Sequence, residues 1–227
     1  MARSTEPGPP TTAQSRAPRR RHLVGLVALL VVIGVLLGLL IRSPAAAKAP
    51  PAGAHGAQFA GLATKKPWQS APALSLRNYL GVPVDLASYR GKAVLVTFIY
   101  THCVDVCPLM VAMFHTALGE MPAAERDNLQ IIAVSVDPRG DTPKSVGRFL
   151  TAHRMTGRMQ YLIGSAATLR AVWAHWGIDS RPASTPDLVE HSALVYGITG
   201  KGKIAVVYPS NFGAREIVHD AGILAHD

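Results

Sequence analysis

Only two of the 227 residues are cysteine, Cys103 and Cys107. A chain so poor in cysteine cannot be held by a disulfide framework, and two thiols four positions apart suit redox or metal chemistry better than stapling. Acidic residues are also few, 14 against 23 Lys and Arg, for a net charge of +9. That excess is no nucleic-acid signature. Residues 1–42 hold six Arg against one Glu, the remainder carries only +4, and no basic stripe alternates with aromatics. Charge of either sign is missing altogether from Leu23 to Ile41.

Those 19 uncharged residues rise ~28 Å as a helix, close to the ~30 Å hydrocarbon core of a bilayer. Residues 1–22 read as a disordered basic tail ending in Arg19-Arg20-Arg21-His22, and 23–41 as a transmembrane helix. The arginines before the span put the N-terminus in the cytoplasm and the rest of the chain outside. A cleavable signal ending at Ala45-Ala46-Ala47 is the rival, but the apolar run exceeds the usual 7–15 residues. Residues 42–66, mostly Ala, Pro and Gly, read as a linker, and 67–227 as the folded domain.

In that domain Ala73–Leu76 and Val82–Leu86 read as a short hairpin around Gly81. Ala93–Tyr100 and Leu129–Val136 are apolar runs interrupted only by Thr97, Gln130 and Ser135, the pattern of strands buried on both faces. Helices are expected after Pro108, Thr142 and Ser165, the last stopped by Gly177. Asp179–Leu188 reads as a polar loop. Ser192–Ile198 and Lys203–Tyr208 read as strands around a Gly-Lys-Gly turn, followed by a helix over about 213–224. The fold class is α/β: a thioredoxin-like domain with a central mixed sheet flanked by helices, preceded by one transmembrane helix.

The two cysteines fall between the end of a strand and the start of a helix, with Pro108 taken as its first residue. Unpaired N–H groups and the positive end of the helix dipole favour thiolate there. Such a pair can attack a disulfide, close on itself or bind a soft metal, and the spacing leaves all three open. Two sulfurs make an incomplete metal site. Among nine histidines, His191 stands out because it ends the long polar loop just before a strand, where a loop entering the sheet could carry an imidazole over the cysteine turn.

Three motifs in order, Thr101-His102-Cys103-x-Asp105-Val106-Cys107-Pro108, Val134-Ser135-Val136-Asp137-Pro138-x-x-Asp141-Thr142-Pro143 and His191-Ser192, resemble the SCO/SenC family of membrane-tethered copper proteins. The resemblance covers roughly Ala73 to Tyr208. It implies copper, as Cu(I) and also Cu(II), held by Cys103, Cys107 and His191. Asp137 matches an aspartate that stands near the metal without binding it. Val104 departs from the proline usual in the family.

The resemblance also implies a role at the dinuclear copper centre of cytochrome c oxidase subunit II, as copper donor, as reductant of its cysteines, or both. Other periplasmic copper chaperones are further implied partners. The expected location is a bacterial inner membrane with the domain in the periplasm, the alternative being the mitochondrial inner membrane. The competing function is a metal-independent thiol–disulfide reductase using the same redox-active pair, Cys103 and Cys107. A purely structural disulfide is the plainest alternative.

Overall fold

The computed structural model describes residues 29–33, 58–178, 180–182, 189–191 and 193–227. Residues 29–33, inside the expected membrane span, are helical and exposed. The rest of that span, the tail and the linker up to residue 57 lie outside the described residues. Among the described residues no helix is long and apolar enough to cross a membrane. The chain divides into Met1–Gly53 and Ala54–Asp227, and the second unit holds both cysteines.

Among the described residues ten strands appear in chain order: β1 (Leu62–Ala63), β2 (Ser75–Asn78), β3 (Pro83–Asp85), β4 (Ala93–Ile99), β5 (Leu129–Ser135), β6 (Met159–Ile163), β7 (Ser180–Pro182), β8 (Val189–His191), β9 (Leu194–Ile198) and β10 (Ile204–Pro209). Five α-helices accompany them among the described residues of the second unit: α1 (Val106–Glu120), α2 (Ala123–Asp127), α3 (Pro143–Ala152), α4 (Ala166–Trp176) and α5 (Ala214–His226). Eight strands form one mixed sheet in the order β1-β10-β9-β4-β5-β6-β2-β3, and β7 with β8 forms a separate hairpin.

The centre of the sheet is what the apolar runs require. Every residue of β4 is buried, and so is all of β5 except Gln130. Strands of that kind need cover on both faces. β4 runs parallel to β5 and antiparallel to β9, and β5 runs parallel to β6. A parallel neighbour needs a crossover, and α1 supplies it between β4 and β5. α1 buries Met110, Val111, Phe114 and Leu118 and packs against α5. Phe114 meets Phe212 with ring centroids 5.2 Å apart. α4 covers the ends of the central strands: Trp176 packs against Phe98 with the rings tilted by 56°, and Trp173 donates from Nε1 to the Ser135 carbonyl at 3.0 Å.

The expected caps are present. Thr142 accepts from Ser145 N and Ser145 Oγ accepts from Thr142 N, a reciprocal box at the start of α3. Ser165 caps α4, and Gly177 ends it in the left-handed conformation. Three features depart from the sequence reading. α1 starts at Val106, two residues before Pro108, so Cys107 already belongs to the helix; proline is still tolerated because a first-turn N–H has no partner within the helix. The stretch read as a polar loop contains β7, and β8 follows it, paired Ser180 to His191 and Pro182 to Val189. Residues 62 and 63, read as linker, pair with β10.

Candidate metal centre

β4 ends at Ile99, and the chain turns at once: Cys103 N donates to the Tyr100 carbonyl at 3.4 Å. The turn is fixed from beneath by Asp141, a carboxylate only 4% exposed. Asp141 Oδ1 accepts from Thr101 N at 2.8 Å, and Oδ2 accepts from Ser135 Oγ at 2.6 Å and Tyr161 OH at 2.9 Å. One buried group thereby ties the ends of β4 and β5 to the middle of β6. Burial raises its pKa above the ordinary carboxylate value, and the three donors pull the other way. Thr101 and Asp141 are forty residues apart, so no periodicity announces this contact; both stand in the family motifs, and only the fold shows what Asp141 does.

The start of α1 lacks a side-chain cap, since Asp105 at that position makes no capping bond. The sulfur of Cys103 serves instead, accepting from Cys107 N at 3.4 Å. Cys103 is half-buried and Cys107 is buried, and neither is in a disulfide. The two sulfurs are within hydrogen-bonding reach. Cys107 donates to Cys103, and this lowers the Cys103 pKa to about 5, with backbone N–H groups of Asp105 and Cys107 and the Tyr100 side chain assisting against desolvation. The same bond, with burial and the charge of Asp141, drives the Cys107 thiol up. The geometry thus favours thiolate at the half-buried Cys103 and thiol at the buried Cys107.

Asp137 lies half-buried on the next loop. Its Oδ1 accepts from Arg139 N at 3.1 Å and Gly140 N at 3.0 Å, so it shapes its own turn. A Cβ on Gly140 would fall 2.1 Å from Asp137 Oδ2 and 2.8 Å from His102 Nδ1. Asp137 and His102 thus flank one glycine, beside Cys103 in sequence. Neighbouring side chains in extended chain diverge, so the sequence gives His102 no place with Cys103; the fold brings it close to Asp137 through the Gly140 turn.

His191 is the last residue of β8, opposite Ser180. Only its backbone is described. β9 follows at Leu194 and runs antiparallel to β4, with Val195 opposite Thr97. The chain between His191 and Leu194 therefore enters the sheet at the end of β4 that leads to the cysteines. Met110 is fully buried and Met113 packs against the core, which makes both packing residues. Among the described residues, no cluster of three His, Cys, Asp or Glu side chains forms a metal site. Two thiols suit a soft ion such as Cu(I).

A mixed sheet with a dithiol between its central strand and the following helix defines a thioredoxin-like protein. The chain belongs to the SCO1/SenC family, whose family model matches residues 64–224. An SCO1 homologue of Bacillus subtilis is 30% identical over 138 residues, 59% of this chain and 70% of its own length. Apo Sco1 of Thermus thermophilus has the same fold, with a TM-score of 0.64 at 27% identity, covering 76% of this chain and 99% of that one. ScoI of Bradyrhizobium japonicum, solved with copper bound, gives a TM-score of 0.58 at 25% identity over 69% of this chain and 99% of that one. Matches to several other curated relatives span about half of those proteins' lengths, 47% to 58%.

Proposed function

We propose that this chain is a membrane-anchored copper-binding protein that delivers copper to the dinuclear copper site of cytochrome c oxidase subunit II, reduces the cysteines of that site, or does both. The observation that carries the reading is the pair of free thiols at the start of α1, with Cys107 N donating to the Cys103 sulfur, in a chain of the SCO1/SenC family. The metal ligands in this reading are Cys103, Cys107 and His191, with Asp137 close by. Copper is cargo here. Cys103 is poised to take it because its sulfur is anionic and half-exposed. Binding requires Cys107 to lose its proton, so uptake releases a proton and weakens as pH falls. A site of three donors lets cargo leave more readily than a closed tetrahedral one. His191 as the third donor is supported by the direction of β9, whose start lies at the cysteine end of the sheet.

The inequality of the two thiols also favours the metal-independent reaction. The Cys103 thiolate attacks one sulfur of a partner disulfide, forming a mixed disulfide and expelling the other sulfur as thiolate. Cys107, giving its proton to that leaving thiolate, then attacks Cys103 Sγ. The products are a Cys103–Cys107 disulfide here and a reduced dithiol on the partner, two electrons having moved.

Cu(I) affinity of the reduced protein at neutral pH separates the readings. His191→Ala should weaken Cu(I) binding by about tenfold or more with the fold intact. Unchanged affinity, together with copper-free reduction of oxidised subunit II, would leave the reductase reading in its place.

A further inference from the structure

The turn that joins β2 to β3 carries two apolar side chains that the core does not use. Leu80 is 69% exposed and Val82 is 52% exposed. The backbone of this turn is closed on itself. Asn78, a buried residue at the end of β2, accepts through Oδ1 from Leu80 N at 3.0 Å and from Val82 N at 2.9 Å. Its N–H donates to the Val82 carbonyl at 2.9 Å, and its carbonyl accepts from Gly81 N at 2.8 Å. Arg77 Nη1 donates to the Gly81 carbonyl at 2.6 Å. Gly81 supplies the left-handed residue of the turn, with φ of 81°. Amides and carbonyls paired in this way lose little on leaving water.

The surroundings of the turn are basic. β2 runs antiparallel to β6, with Arg77 opposite Ile163 and Asn78 opposite Leu162. The turn therefore lies level with the start of β6, which the exposed Arg158 precedes. Tyr79 N donates to the Tyr161 carbonyl at 3.0 Å. The Tyr79 ring lies beside α3, where a Cβ on Gly147 would stand 3.7 Å from it. Arg148 follows Gly147 in that helix, Lys144 stands one turn before Arg148, and both are exposed. Residues 77–84 and 142–163 contain no Asp or Glu, yet they hold Arg77, Lys144, Arg148, Arg154 and Arg158. Among the described residues none of these five is paired with a carboxylate.

This arrangement works against α3. Lys144 stands in its first turn, where the helix dipole favours acidic side chains, and that turn has none. Lys144 and Arg148 are four apart, a like-charge pair that weakens a helix. Local rules broken on an exposed face, with no compensating contact in the fold, mark a surface that meets something negatively charged.

We propose that the β2–β3 turn and the basic face of α3 beside it lie on an anionic lipid surface, with Leu80 and Val82 entering the headgroup layer and the cations meeting lipid phosphates. Aliphatic side chains flanked by Lys and Arg suit the boundary between headgroups and acyl chains. A protein held at a turn would draw on free backbone donors and acceptors, and those of Gly81 and Val82 are engaged already. The inference concerns neither copper nor thiols. It takes from the proposed function only that a bilayer is within reach.

The test reconstitutes the full chain with vesicles of neutral phosphatidylcholine, or of phosphatidylcholine with phosphatidylglycerol. An environment-sensitive fluorescent amino acid replaces Val82 or, as a control, Lys201 on the turn between β9 and β10. Position 82 should shift to the blue in anionic vesicles and not in neutral ones, position 201 in neither, and added salt should reverse the shift. Arg148→Gln and Arg158→Gln should each weaken the contact about fivefold, and Leu80→Gln should weaken it as well. No shift at position 82 in anionic vesicles overturns the proposal. An equal shift at both positions, or one that ignores the arginine substitutions, does so too. A response to soluble polyglutamate with none to anionic vesicles overturns it in favour of an acidic protein partner. Flotation with neutral vesicles reports the anchor separately: its failure refutes the anchored reading, and the response to anionic vesicles still decides this one.

Discussion

Removing the carboxylate of Asp141 should damage both stability and thiol chemistry, whereas replacing it with Asn should spare most of each. In Asp141→Ala the Thr101 N–H loses its acceptor, and Ser135 Oγ and Tyr161 OH lose theirs. A buried unsatisfied donor costs about 1–3 kcal/mol. Tyr161 has a second acceptor in the Ile99 carbonyl at 3.3 Å, which trims the total to roughly 3–5 kcal/mol by the same accounting. Asn can keep its oxygen on Thr101 N and donate its amide to the two hydroxyls, which can rotate to accept, for a cost of about 1 kcal/mol.

Urea denaturation of residues 54–227 reads the gap as a midpoint difference of about 1–2 M between the variants. The freed Thr101 should also loosen the Tyr100–Cys103 turn, so that Cys103 alkylates more slowly at pH 6 in the Ala variant than in the Asn one. The charge gives a further check. Burial raises the pKa of Asp141 from 3.8, so between that value and the folded one the native state holds a proton that the unfolded chain has released. Stability then declines as pH climbs through this window, and the Asn variant lacks the decline. Equal losses in the two variants, or an Ala variant within about 1 kcal/mol of the unsubstituted protein, would refute the account of Asp141 as the post beneath the cysteine turn.

Cys103 gives the opposite pH slope. Its folded pKa of about 5 lies below the ordinary 9.0, so stability should rise with pH between these values and be lost as pH falls through 5, a slope that Cys103→Ser removes; thiolate absorbance should titrate near pH 5 for one thiol only. Either cysteine changed to Ser should abolish tight Cu(I) binding, measured by competition with a chromophoric chelator. Gly140→Ala should force Asp137 Oδ2 and His102 from their places; a stability loss of about 1–3 kcal/mol with a shift in Cu(I) affinity would tie Asp137 to the metal, while unaltered affinity would restrict it to shaping its loop.

Much of the domain is legible in the order of residues. The runs 93–100 and 129–136 are apolar but for Thr97, Gln130 and Ser135, and their short length and β-branched content mark strands covered on both faces. Thr142-Pro143 and Ser165 declare helix starts through capping chemistry that is local to a few residues. Cys103 and Cys107 declare themselves by rarity and by position between strand and helix, and three ordered motifs specify the family. Local signals stop there. α1 begins two residues ahead of Pro108 because proline is compatible with any first-turn position, and the sulfur that caps the helix is not a capping residue by type. The β7–β8 pair is hidden in the sequence because its strands are three residues long and one contains proline.

Residue order by itself singles out the two thiols as candidates and determines which elements carry them, because both follow from residue type and short-range periodicity. It leaves undecided how unequal the two thiols are and what braces the turn. Those properties belong to contacts between distant residues, Asp141 with Thr101 and Tyr161. Their energies come from desolvation and from donors converging on one carboxylate or one sulfur. Only the folded sheet brings such groups together, so tertiary structure alone could decide them.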